Sequence, residues 1–426
     1  MSKEFDLIIT GGQIVTGQGL FPPVTTFELP PMLVNPEDLP PVIKTSDPDS
    51  FAHDTLKRRI PQMVMETIQL NAFPADIRRA LTELHAELTG GLIRGLQEAT
   101  PDKTFWDEVS RPYLGRTWLE APWYWAETFC YRRILEATGY FQPGPWQGVD
   151  PFQPQKATEW APHAAPSLVE TTLRRLPADR AARFQQVVYA SLWGNRIDLS
   201  YNVSAQLGRS RQMMDEQSNL LVDHSAQVWQ FLRQQPGCHL ALIADNAGSE
   251  LLMDLVLIDF LLGEKIAARL DLYLKPQPFF VSDALPQDVE AGLKALDHGG
   301  DQARALQERL RGYLQEGRLS LRTHWFFPTS LFYFQLPADL YGALKAVDLV
   351  FLKGDANYRR LVGDAHWPPT APFETVTAYF PTRLVALRTL KAEVVVGLLP
   401  GEAERLQAQD PQWRVTGQRG LIQGKF

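Results

Sequence analysis

Cysteine is almost absent from this 426-residue chain, with Cys130 and Cys238 the only two. A single pair builds neither a disulfide scaffold nor a four-thiolate zinc site. Long hydrophobic runs are lacking as well. The most apolar stretch, Leu251 to Leu262, is interrupted by Asp254 and Asp259 and is too short to span a bilayer. The opening ten residues have no basic segment followed by an apolar one, so no signal peptide is expected. Basic charge does not dominate, because 42 Lys and Arg face 49 Asp and Glu, for a net charge of −7. That balance argues against a general polyanion binder, since counterion release needs a concentrated basic surface. A local basic pocket for one phosphate remains open. The expectation is a cytoplasmic, soluble monomer without nucleic-acid or membrane partners.

What is present is the material of a globular protein: 45% hydrophobic and 21% charged residues. The length suggests two or three structural units. Residues 1–50 read as an extended, proline-rich arm. Asp6 to Gly17 reads as a hairpin turning at Gly11-Gly12, and paired prolines follow at 22–23, 30–31 and 40–41. The opening also resembles the first strands of amidohydrolases, but the eight histidines include none of the His-x-His pairs those enzymes need for metal. Residues 51–165 read as a helical unit. Leu56, Ile60, Met63, Val64 and Ile68 share one helical face, as do Ile77, Leu81, Leu84 and Leu88. Trp118, Trp123, Trp125 and Phe129 read as core aromatics, and 143–166 as a proline-rich connection. In residues 166–426 short apolar strands alternate with helices. Strands are expected at 239–244, 268–274, 279–282, 319–327, 347–352, 384–388 and 393–398, with helices at 249–262, 303–315 and 340–346. Continuous apolar strands between helices predict a mostly parallel sheet covered on both faces, a three-layer α/β/α, Rossmann-like body.

In such sheets ligands bind beyond the carboxyl ends of the strands, near the point where strand order reverses. The polar residues following each predicted strand are therefore the candidates. They are Asp245 and Asn246 after the first, Asp283 after 279–282, Lys353 to Asn357 after 347–352, and Arg388 to Lys391 after 384–387. Any one of these would ordinarily be a helix cap or turn former. Four strand ends together favour a site. Asp245, Asn246 and Asp283 form an all-oxygen donor set suited to a hard divalent ion such as Mg²⁺ or Mn²⁺. Lys353 and Lys391, with Gly354 allowing close backbone approach, are residue types that hold phosphate oxygens. Ala247-Gly248-Ser249 leads into a helix whose first amides favour an anion. An ion facing cationic clamps is the equipment of phosphoryl transfer.

These residues carry a resemblance. Asp245-Asn-Ala-Gly-Ser-Glu250, Lys353-Gly-Asp-Ala-Asn-Tyr358 and Arg388-Thr-Leu-Lys391 closely resemble the signatures of the damage-control phosphatase family. The Arg-Thr-x-Lys motif points to its sugar-phosphate phosphatase branch, which includes the acidic-residue methyltransferase-like proteins. Ser191 to Ser200 and Phe51 to Asn71 also resemble that branch, so the likeness spans about residues 50 to 400. The resemblance implies a phosphatase that uses a divalent ion (Mn²⁺ or Mg²⁺, with Co²⁺ or Ni²⁺ as further candidates) on phosphorylated sugars such as fructose 1-phosphate and related reactive phosphometabolites. It assigns Asp245, Asn246 and Asp283 to metal, with Asp245, Asp283 and Lys391 catalytic. It assigns Asn195, Glu250, Lys353, Gly354, Asp355, Asn357, Arg388, Thr389 and Lys391 to substrate. Water or Asp245 is the nucleophile. Local alternatives stand beside these roles, among them Asp245 as an N-cap, Glu250 as a first-turn acid and Asp355 as a helix cap. Two other functions fit the same fold: an S-adenosylmethionine-dependent carboxyl methyltransferase, or a non-catalytic sugar-phosphate binder. Against the methyltransferase, no glycine-rich loop with a following acidic ribose binder is evident.

Overall fold

The computed structural model describes residues 30–159, 164–204 and 217–426. Seven strands form one sheet: β1 (Leu220–Asp223), β2 (Cys238–Ile243), β3 (Ala267–Leu274), β4 (Leu319–Thr323), β5 (Leu349–Lys353), β6 (Arg383–Thr389) and β7 (Gly420–Lys425). Their spatial order is β1-β7-β6-β5-β2-β3-β4. β2 to β6 are mutually parallel, while β7 runs antiparallel to β6 and carries β1 on its far edge. From β2 the chain steps outward through β3 to β4, then returns to lay β5 on the other side of β2. The reversal of strand order therefore falls between β2 and β5, where a ligand crevice opens in such sheets.

The central strands β2, β5 and β6 are apolar along most of their length because both faces are covered. Ala241, Ile243, Val350, Leu352, Leu384 and Ala386 point into one core. Leu240, Leu242, Leu349, Phe351, Val385 and Leu387 alternate with them into another. The first core is closed by helices α1 (Ile60–Leu70), α2 (Ala75–Gly90), α3 (Lys103–Ser110) and α4 (Trp123–Ala137), with α5 (Gln153–Glu159) following. The second is closed by α6 (Ala164–Arg175), α7 (Arg180–Ser204), α8 (Ser225–Gln234), α9 (Ser249–Gly263), α10 (Pro286–Leu296) and α11 (Asp301–Gln315). The chain then returns to the first face with α12 (Ala338–Lys345), α13 (Asp355–Val362) and α14 (Glu402–Gln409). The early helices thus share a core with the sheet instead of enclosing one of their own. Trp118, Trp123, Trp125 and Phe129 are buried within that core.

Several expectations shift. The hairpin expected at residues 6–17 lies outside the described residues. The described end of the arm runs along the body, with Val42 bridging Ala365, Lys44 bridging Pro122, and Ile43 and Thr45 buried. The strand expected at 393–398 is absent. Its valines are buried, but side chains take the backbone groups: Arg388 donates to the Val394 carbonyl and Gln423 to the Val396 carbonyl. The sheet positions go instead to β1 and β7, which the apolar pattern had not marked. Residues 279–282 are a tight turn and not a strand, with Phe280 at φ 44° and Val281 at φ 63°.

Candidate active site

The floor of the site is the paired ends of β2 and β5. Asp245 and Asn246 leave β2, and Gly354 leaves β5 at φ 85°, opening α13. A Cβ on Gly354 would stand 1.9 Å from Asp245 Oδ2, so only glycine lets the two chain ends approach this closely. Asn357, one turn along, clamps both ends: its Nδ2 donates to the Ala244 carbonyl (3.2 Å) and the Lys353 carbonyl (2.9 Å), while its Oδ1 accepts from Tyr333. The turn after β3 brings in Asp283. There Asn246 bridges Asp283, Ala284 N–H donates to the Asp245 carbonyl (2.8 Å), and Ala247 N–H donates to the Ser282 carbonyl (2.7 Å).

Hydrogen bonds fix the amide of Asn246. Its Nδ2 donates to Asp245 Oδ2 (3.0 Å) and Glu250 Oε2 (2.9 Å), which leaves Oδ1 to accept from Ser282 Oγ (2.7 Å). Asp245, Asn246 and Glu250 are buried and Asp283 is 1% exposed, while Ser282 is half-buried. Burial, reinforced by the charges of Glu250 and Asp283, holds the Asp245 carboxyl well above its ordinary range, with Lys275 and Lys391 opposing. Burial also raises Asp283, against Lys275 and Lys156. Asp245, Glu250, Asp254, Asp283 and Asp355 outnumber Lys275, Lys353, Arg388 and Lys391 by one negative charge.

The donor set is all oxygen, the chemistry a hard cation takes. Asp245 Oδ1 is buried without a hydrogen-bond partner among the described residues, whereas Asp283 Oδ2 is ion-paired to the Lys275 ammonium at 3.1 Å. Among the described residues no three of His, Cys, Asp and Glu stand close enough to hold an ion alone. The fit is therefore to an ion that takes Asp245, Asp283 and the Asn246 amide oxygen and completes its shell with water and substrate.

Other predicted residues have partners that redefine them. Lys353 does not present its ammonium to a ligand. It is buried, ion-paired to Asp254 (2.9 Å) and Glu250 (3.3 Å), and donates to the Ser191 carbonyl. Burial alone would lower this ammonium; the two carboxylates hold it above its ordinary range. Asp254, which interrupts the apolar run 251–262, is fully buried, and burial raises its carboxyl to about 6 against the pull of Lys353. Arg388 is likewise a strut, donating to Asp355 Oδ1 (2.8 Å) and to the carbonyls of Val394 and Ala392. Asn357 is saturated by the clamp already described. Asp355 Oδ1 also accepts from the backbone N–H of Lys391 (3.0 Å), which fixes where that side chain starts. Lys391 itself is exposed, and among the described residues it makes no ion pair. Thr389 lies at the same strand end, nearly buried. Asn195 falls within α7, and its side chain lies outside the described residues. Two residues escaped the sequence reading, Lys275 and Lys156. A buried lysine looks like any solvated one until its distant partners are known.

The chain matches the family model described as the damage-control phosphatase ARMT1-like domain over residues 55–406. A zebrafish (Danio rerio) protein named damage-control phosphatase ARMT1 is 32% identical, covering 88% of this chain and 94% of that protein. The bovine (Bos taurus) protein of the same name is 31% identical, over 90% and 98% of the two chains. A solved structure of a DUF89 family protein from Pyrococcus horikoshii aligns with TM-score 0.47 and 15% identity, covering 86% of this chain and 96% of that one.

Proposed function

Because the chain belongs to the damage-control phosphatase ARMT1-like family, we propose that it is a metal-dependent phosphatase that hydrolyses phosphate monoesters of small sugars, of which fructose 1-phosphate is the representative. The observation that carries this reading is the buried Asp245 Oδ1, without a hydrogen-bond partner among the described residues, beside Asp283 and within the field of the Lys391 ammonium, which makes no ion pair among the described residues.

Asp245, Asp283 and the Asn246 amide oxygen would hold the divalent ion. Bound there, such an ion polarises a phosphoryl oxygen and offsets the crowding of negative charge. The rest is done by this chain's own side chains. Glu250 and Asp245 together fix the Asn246 amide so that its oxygen, not its nitrogen, faces Ser282. Lys353 holds Glu250 in place from below. Arg388 locks Asp355, Asp355 locks the backbone of Lys391, and the Lys391 ammonium is left to meet the outward phosphate oxygens. The amides at the start of α13 add donors for the same anion. Low local dielectric makes each of these charges count for more than it would in water.

The test is phosphate release from fructose 1-phosphate by the full chain, with Mn²⁺, Mg²⁺, Co²⁺ or Ni²⁺ added after chelation. Activity that vanishes with chelator, returns with metal and is abolished in Asp245→Asn supports the reading. Full activity in chelator, or none with any ion on a panel of sugar phosphates, overturns it.

A further inference from the structure

Asp283 is delivered by backbone that should not hold its shape unaided. Phe280 and Val281 both sit at positive φ, 44° and 63°, where a β-branched residue is a genuine outlier. Such conformations persist only when the surroundings over-determine them, and they cluster at functional sites. Two buried lysines grip this turn. Lys275 Nζ donates to the Ala244 carbonyl (3.0 Å) and stands against the Asp283 carboxylate. Lys156 comes from α5. Its side chain is fully buried, and its ammonium donates to the backbone carbonyl of Asp283 at 2.8 Å. The same ammonium is ion-paired to Asp150 (3.0 Å) and Asp288 (3.1 Å). Asp288 in turn accepts from Leu285 N–H (2.8 Å), so the chain on both sides of Ala284 is tied to one nitrogen. Burial would lower that ammonium, but the two carboxylates hold it above its ordinary range, and it stays charged. Rings close the remaining side: Tyr131 of α4 packs on Phe280 with centroids 5.0 Å apart and on Phe152 at 5.8 Å.

We infer that Lys156 is a positioning residue of the active site: it pins the Asp283 carbonyl and thereby sets the placement of the Asp283 carboxylate for a divalent ion. The helical segment before the α/β body is thus part of the site's construction. This rests on the metal-site reading given above.

The experiment compares two variants of the full chain with the parent. Lys156→Met/Asp150→Asn/Asp288→Asn removes the ammonium and both counter-charges together, so no buried charge is stranded, and replacing such a cluster by uncharged groups is often tolerated. Asp150→Asn alone keeps Lys156 on Asp288 and on the Asp283 carbonyl. Mn²⁺ binding to the metal-free proteins is measured by calorimetry, the unfolding midpoint in urea, and kcat and KM on fructose 1-phosphate. The triple variant should fold, bind Mn²⁺ about tenfold or more weakly, and lose kcat about 10- to 100-fold with KM changed by no more than about threefold. Asp150→Asn should match the parent within about twofold in Mn²⁺ affinity. A folded triple variant with parental Mn²⁺ affinity overturns the inference, and so does an equal loss in Asp150→Asn. If the triple variant does not fold, Lys156→Arg, which keeps the charge but not the fit to the carbonyl, takes its place with the same expected loss. If the parent binds Mn²⁺ but releases no phosphate, the phosphatase reading falls while the affinity ratio still decides the role of Lys156. If the parent binds neither Mn²⁺ nor Mg²⁺, both fall.

Discussion

Adding one methyl group at Gly354 tests the geometry of the site more sharply than removing any of its charges. The residue sits at φ 85° and ψ 172°, a region open essentially to glycine alone. An alanine there costs about 1–3 kcal/mol from its backbone conformation before any contact is considered. Its Cβ would then lie 1.9 Å from Asp245 Oδ2, and 2.6 Å from Asp245 Cβ. Either the carboxylate or the β5 end must retreat by about 1 Å to reach even a compressed contact. The carboxylate cannot retreat freely, because Asn246 Nδ2 holds it at 3.0 Å and Asn357 ties the two strand ends together. A displacement of that size in a preorganised site is worth on the order of 100-fold in rate. Gly354→Ala should therefore remain folded, with a lower urea midpoint, and lose about 100-fold or more in kcat together with a clear loss of Mn²⁺ affinity by calorimetry. A folded variant that keeps both kcat and Mn²⁺ affinity within about threefold of the parent would refute the close approach of the two strand ends as the basis of the site.

Three further outcomes follow from the same geometry. Lys391→Met should lower kcat on fructose 1-phosphate by about 10- to 100-fold, the worth of one charge-assisted contact, and parental steady-state constants would remove Lys391 from the site. Arg388→Lys should destabilise the chain by about 2–4 kcal/mol in urea, because an ammonium cannot serve Asp355 and two carbonyls with the planar fork that Arg388 uses; an unchanged midpoint would contradict that. The Asp254 carboxyl, near 6 in the fold against an ordinary 3.8, keeps its proton where the unfolded chain has lost it, so its contribution to stability is fully present below about pH 4 and declines as pH rises to about 6. Asp254→Asn should remove that portion of the pH dependence in urea unfolding, and an identical profile in parent and variant would show that the carboxyl does not titrate there.

The sequence by itself determined the α/β class and the strand ends from which the site is built. A strand buried on both faces is apolar along most of its length, so β2, β5 and β6 stand out in the chain, while β3 and the edge strand β4 are marked by alternating apolar residues. The polar residues that interrupt them mark where each strand leaves the sheet. Asp245 and Asn246 were legible for that reason; Asp283 was marked by a strand at 279–282 that the structure shows as a turn, and that turn still brings it against Asn246. The same logic failed at β7, where Gln423 and Lys425 make the strand look like surface. Their polar ends are satisfied by long-range partners, Gln423 with Tyr358 and the Val396 carbonyl, Lys425 with the Thr377 and Phe380 carbonyls. It failed in the opposite sense at 394–396, apolar and buried but tied to side chains instead of a neighbouring strand. Only the tertiary structure decided which cations are consumed within the fold. Lys353, Arg388 and Lys391 look alike as residues, yet the first two are consumed by buried carboxylates and carbonyls, while the third is exposed and makes no ion pair among the described residues. Lys156 and Lys275 were invisible for the same reason. A buried ammonium is defined by oxygens distant in the chain, and the distance from Lys156 to Asp283 along the sequence contains no local signal that the two meet.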